Sequence, residues 1–197
     1  MKKILFIVLI LCSKILCYGQ SAQAMLDEIE GQWLPDENGE VTISKIVGID
    51  SLDKNQLFEK AEVYFNAHFI NGKSFIDTKD KGTGLLVAKG TFIANQQENK
   101  SPVLTPLYAL YIVRVDVVDK RAKLSVSLTG YDSSRVSNLK ENFFPEMPIE
   151  REYPVNIHGL YKNYMAKAFY RSFKMANEIV NELEQFLIST PKNKVNW

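Results

Sequence analysis

The sequence predicts an α+β fold built on an antiparallel five-stranded sheet, in the order strand, helix, four strands and a long carboxy-terminal helix. Three patterns carry that prediction. Leu107, Ala109, Tyr111, Val113, Val115 and Val117 alternate with other residues, which puts them on one face of a strand. Leu57, Phe58, Ala61, Tyr64, Phe65, His68 and Phe69 recur at three and four residues, the stripe of a helix lying on a core. Phe169, Phe173, Ala176, Val180, Leu183 and Leu187 repeat the helical spacing near the end of the chain.

The beginning of the chain reads as a secretory leader. Met1-Lys2-Lys3 is followed by the apolar run Ile4 to Cys12 and then Cys17-Tyr18-Gly19, with cleavage expected after Gly19. Ser13-Lys14 interrupts the run, which is shorter than the ~20 residues a membrane-spanning helix needs, so no transmembrane anchor is expected in the mature chain. Leu11 precedes Cys12 and Leu16 precedes Cys17, where lipid attachment needs a small residue. The expected location is therefore the periplasm or the exterior, ahead of a lipoprotein. Both cysteines lie in the leader, so the mature chain is expected to hold no thiol, disulfide or cysteine metal site.

Without Lys2, Lys3 and Lys14 the basic residues number 21 against 23 acidic ones, a net charge of about −2. No overall charge recruits nucleic acid, and none is expected as a partner. Residues 20–197 fit one domain, and 46% apolar content supplies a core.

The elements follow in order. Residues 20–38 form an arm, with a short helical pattern (Ala24, Met25, Ile29) ended by Gly31 and an extended Trp33-Leu34-Pro35. Glu40 to Val47 alternates as a half-buried strand in which Lys45 is the exception. Asp53 and Gln56 have the spacing of a capping box, with Leu52 placed to staple onto Leu57, and the helix should run to about Phe69. Strands are expected at Ser74 to Thr78, Gly84 to Ala94, Leu107 to Val118 and Ala122 to Thr129. Lys123, Ser125, Ser127 and Thr129 oppose the apolar positions, so one sheet face is covered and the other largely wet. Tyr131 to Ile157 carries Pro145, Pro148, Pro154 and the pair Phe143-Phe144, and is expected to be an irregular connection packed over the core. The last helix spans about Leu160 to Ser189, inside a carboxy-terminal segment 158–190, and Thr190-Pro191 ends it.

Leu34-Pro35, Val41-Thr42-Ile43, the helix Lys54-Asn55-Gln56-Leu57-Phe58-Glu59-Lys60-Ala61, Lys89-Gly90-Thr91-Phe92 and the strand Tyr111 to Lys120 together resemble a family of exported bacterial domains. The resemblance spans roughly Leu34 to Asp132 and implies a fold like that of the TATA-binding protein (TBP-like) for residues 39–132. It departs at Phe65, where such domains often carry tryptophan. The family has no assigned function, so the resemblance implies no catalytic residue.

The candidate chemistry is sparse. His68 and His158 are the only histidines, and without cysteine a zinc site would need carboxylates from distant segments; no metal or cofactor is expected. There is no Gly-x-Ser-x-Gly run to place a serine nucleophile. Lys81-Gly82-Thr83-Gly84 precedes a strand and not a helix, so it reads as a hairpin turn and not a phosphate loop. Arg114 and Asp116 share a strand face with Tyr108, Leu110 and Ile112, either as a binding surface or as cross-strand pairs worth about a few tenths of a kcal/mol. The last helix carries Lys162, Lys167, Arg171 and Lys174 with Tyr161, Tyr164 and Tyr170 in its first half, and Glu178, Glu182 and Glu184 in its second, against the helix dipole.

The candidate binding surface is therefore Tyr108, Arg114, Asp116, Tyr164, Lys167 and Arg171. It suits a noncatalytic binding module of the cell envelope, its partner an envelope protein or a small ligand. The alternative is a hydrolase of cell-wall or polysaccharide substrates using distant carboxylates such as Asp77, Asp116 or Glu141.

Overall fold

The structure is a computed structural model that describes residues 21–70, 73–95, 106–133 and 147–189. The leader, the loop from 96 to 105, Glu141, Phe143-Phe144 and Thr190-Pro191 lie outside these residues.

Helix α1 (Ala22–Glu28) starts where Ser21 Oγ accepts the Ala24 amide at 3.1 Å. The arm then lays Trp33 edge-on against Phe169, 4.6 Å between ring centroids. Asp36 Oδ1 accepts the amides of Asn38 and Glu40 and turns the chain into strand β1 (Val41–Gly48). Helix α2 (Lys54–His68) has the predicted capping box: Asp53 Oδ1 accepts from the Gln56 amide at 2.9 Å, and Gln56 Oε1 accepts from the Asp53 amide at 3.1 Å. Strands β2 (Ser74–Asp80), β3 (Leu85–Asn95), β4 (Leu107–Val118) and β5 (Arg121–Asp132) follow as antiparallel neighbours. Lys81-Gly82-Thr83-Gly84 is the β2–β3 hairpin turn; Asp80 Oδ1 accepts from Gly82 and Thr83, and Gly84 takes φ +85°.

The sheet order is β1-β5-β4-β3-β2. A two-residue strand β6 (Met147–Pro148) pairs with Gly130 and Tyr131 of β5, beyond the point where β1 ends opposite Leu128. A 3-10 turn (Ile149–Arg151) follows, and helix α3 (Lys162–Ile188) completes the chain.

Both longer helices pack on one side of the sheet. From the strands come Leu86, Ala88, Val113, Val115, Leu124, Val126 and Leu128, and from α3 all six predicted seam residues, every one buried. Burial of each large side chain is worth about 1.5–3 kcal/mol. The charge order of α3, unfavourable for an isolated helix, is answered by partners elsewhere. Glu28 receives Lys174 at 3.2 Å and the Tyr170 hydroxyl at 2.7 Å, while Lys45 pairs with Glu184 at 2.5 Å. Lys60 of α2 donates to the Leu187 carbonyl at 2.8 Å and to that of Ser189, which sets a cation at the negative end of α3.

Four readings are corrected. His68 leaves the apolar stripe: it is exposed, stacks on Tyr64 at 4.0 Å, and its Nδ1 lies 2.9 Å from the Tyr64 carbonyl oxygen. His68 falls on the outer side of the last turn, while Phe65 and Phe69 on either side of it keep the core contacts. β5 extends to Asp132 because a bulge at Thr129 resets the alternation, so Leu128 and Tyr131 both face the helices. Met147–Pro148, placed by sequence in the irregular connection, pairs into the sheet. Arg114 and Asp116 pair along their strand and not across it: Nε to Oδ2 is 2.8 Å and Nη2 to Oδ1 is 2.6 Å.

Tyr131 brings a phenol into the core. It is fully buried, which pushes its ionisation well above the ordinary tyrosine range, partly offset by the Ser172 hydroxyl beside it, and its own hydroxyl makes no hydrogen bond of standard geometry among the described residues. Neighbouring Ser172 spends its own proton on the Ala168 carbonyl at 2.7 Å. A buried unpaired polar group costs about 1–3 kcal/mol. Tyr131→Phe is therefore expected to be neutral or to stabilise by up to about 1 kcal/mol in urea unfolding; a loss above that size would mean the hydroxyl is bonded.

Candidate contact surface

The side of the sheet away from the helices is bare among the described residues, and the strand register determines what it presents. Its central row runs Phe75, Lys89, Ile112, Ser127, Thr42 from β2 to β1. The next row runs Val87, Arg114, Ser125, Ser44, and the one after it Leu85, Asp116, Lys123, Ile46. Alternation along each strand forces this composition, because the opposite positions are taken by the core. Leu85, Val87, Tyr108, Leu110 and Ile112 are half-buried by their neighbours, whereas Phe75 and Ile46 at the two edges are 58% and 70% exposed.

Polar groups on this face hold one another in place. Thr42 Oγ1 and Ser127 Oγ are 2.7 Å apart, Ser125 Oγ donates to the Arg114 carbonyl at 3.3 Å, and Lys89 meets Asp77 at 3.0 Å. The two-pronged contact with Asp116 holds the Arg114 guanidinium above its ordinary pKa. The Lys89 hydrogen bond holds the Asp77 carboxyl below its usual range. That is the opposite of what a general acid needs.

At the rim next to β1, burial and the nearby Asp36 push the Glu40 carboxyl up, partly offset by a hydrogen bond with Ser127; Glu150 adds to the rise. A raised carboxyl favours the folded state most below its unfolded pKa, and that contribution is lost as pH rises through the folded value. Glu40→Gln is accordingly expected to raise the melting temperature at pH 7 by roughly 1–2 °C, and the gain should fade on titration toward pH 4. A gain that grows at low pH would reverse this assignment.

The six sequence-predicted site residues divide into two groups. Tyr108, Arg114 and Asp116 lie on the bare face. Tyr164, Lys167 and Arg171 lie on α3, across the sheet, where Arg171 Nη1 donates to Asn95 Oδ1 at 2.6 Å and Asn95 Nδ2 donates to the Tyr164 carbonyl at 3.3 Å. They do not form one surface. Of the carboxylates proposed for hydrolysis, Asp77 and Asp116 are each engaged by a cation on different strands, and Glu141 lies outside the described residues. Among the described residues no group of three or more His, Cys, Asp or Glu could hold a metal ion, and no helix is long and apolar enough to cross a membrane.

Two features were missed from sequence. A cleft of about 290 Å³ lies between the arm and Pro154, floored by Leu26, Trp33 and Leu34. The other is the exposed Ile46 on the outer strand, whose only signal is that it sits out of phase between Lys45 and Val47.

Residues 44–131 match a family described as a domain of unknown function (DUF4468) with TBP-like fold. The crystal structure of a DUF4468 family protein from Bacteroides ovatus ATCC 8483 superposes with a TM-score of 0.61 at 12% identity, covering 83% of this chain and 95% of that one. That of a TBP-like protein from Parabacteroides distasonis ATCC 8503 gives 0.58 at 17% identity, covering 77% and 96%. No curated protein matches the chain.

Proposed function

We propose that the protein, whose residues 44–131 match the DUF4468 family with its TBP-like fold and no assigned chemistry, is a noncatalytic binding module that engages its partner through the bare sheet face. The observation that carries this reading is a layer count: two helices cover one side of the sheet, and among the described residues none covers the other. The half-buried strip of Leu85, Val87, Leu110 and Ile112 supplies apolar area, and the Arg114–Asp116 pair supplies an oriented polar contact beside it. The leader-like residues 1–19 support placing the module in the cell envelope, periplasmic or secreted.

The test is site-specific photocrosslinking in intact cells from Ile112 on the bare face and from Asn163 on α3. Crosslinks to one reproducible envelope component from position 112 alone, lost on Arg114→Glu, are expected. Crosslinks from position 163 alone would move the contact to the helix layer and end the reading.

A further inference from the structure

We propose that the outer edge of β1, from Ser44 to Gly48, is a docking site for an extended acidic segment of another protein, which adds to the sheet as a new strand. The inference goes beyond the bare face, since it rests on main-chain groups and on charges at the sheet border.

The two edges of the main sheet are built differently. β2 is broken by a bulge between Ile76 and Thr78, and its Asp77 and Lys79 are tied to Lys89 and Glu62. Bulges and charges of this kind keep an edge from pairing. β1 has no such device: it pairs with β5 over eight consecutive residues without a register shift. Its one charged side chain, Lys45, is drawn to the helix side by Glu184.

The hydrogen-bond phase shows which groups face out. The Ile49 amide donates to the Lys120 carbonyl at 2.7 Å, so Ile49, Val47, Lys45 and Ile43 turn their main-chain groups toward β5. Ser44, Ile46 and Gly48 then turn theirs outward, each offering one donor and one acceptor. The arm covers only the start of the strand, through the Pro35–Val41 bridge and the Asp36 amide on the Glu40 carbonyl at 2.8 Å. Among the described residues nothing covers the rest.

Charge selects the occupant. Arg121 and Lys123 sit opposite Gly48 and Ile46, with Lys120 next to them, all exposed and without an ion pair among the described residues. Asp116, the neighbour of Lys123 on β4, is already engaged by Arg114. An extended segment alternating carboxylates with apolar residues meets the cations, the outward amides and the exposed Ile46 at once.

The probe is a fluorescent heptapeptide alternating Glu and Val, measured by anisotropy against the purified chain at low salt, beside analogues with Lys for Glu and with a central Pro. The acidic peptide is expected to bind at least about tenfold tighter than either analogue, and added salt should weaken it. Amide exchange should slow at Ser44, Ile46 and Gly48. Ile46→Pro, which removes an outward amide together with the exposed Ile46 side chain, should abolish binding; Lys123→Glu, which spares the backbone, should weaken it and serves if the proline variant does not fold. Equal binding of acidic and basic peptides, protection elsewhere, or a dimer dissolved by Ile46→Pro would overturn the proposal. Leu110→Lys separates the two readings, because it leaves the Arg114–Asp116 pair intact and so should spare peptide binding while removing the face crosslink.

Discussion

Phe169→Ala is expected to lower the unfolding free energy by about 3–5 kcal/mol, the range for emptying a well-packed aromatic site. Phe169 is fully buried, lies 4.6 Å from the Trp33 ring and 6.5 Å from that of Phe173, and so joins the arm to the middle of α3. Its loss removes the support of Trp33 as well as its own contacts. Urea unfolding read by circular dichroism gives the first quantity, and a red shift of Trp33 fluorescence in a Trp197→Phe background gives the second. Phe75→Ala is the control: at 58% exposure it should cost well under about 1 kcal/mol. If the two variants unfold at the same urea concentration, α3 is not the keystone of the core.

Gly84→Ala carries the next largest expected loss, about 2–5 kcal/mol, because two costs coincide. Gly84 holds φ +85°, and a Cβ there would stand 2.3 Å from the Val117 carbonyl oxygen. That carbonyl cannot retreat, since the Val117 amide is itself bonded to the Gly84 carbonyl at 2.8 Å. Gly31 separates the two costs: it has φ +73° but nothing within 4 Å of a built Cβ. Gly31→Ala should therefore show the backbone cost alone, about 1–2 kcal/mol. Equal unfolding midpoints for the two variants would refute the clash.

The sequence made the elements legible where local physics decides. The capping box at Asp53 and Gln56, the alternation through β4 and the seam of α3 all appear as written, since each depends on near neighbours in the chain. What stayed hidden depends on distant contacts. Lys45 breaks the alternation of β1 because its partner, Glu184, lies 139 residues further on. The bulge at Thr129 shifted the phase of β5 and disguised its last residues as loop, and two-residue β6 is too short to carry a period. At the candidate site, face membership of Tyr108, Arg114 and Asp116 was readable from spacing alone. That α3 lies across the sheet was not, because periodicity identifies an apolar stripe without naming what it covers.

The order in which the sheet is closed also has a timetable. The inner faces of β5, β3 and β1 are covered by α3, whose 27 residues run from Lys162 to Ile188. During synthesis at about 5–20 residues per second, that helix takes roughly 1–5 s to appear. Through that interval every strand already exists, yet only α2 is there to cover the inner face, so the apolar row of Leu124, Val126 and Leu128 is left open in part until α3 docks.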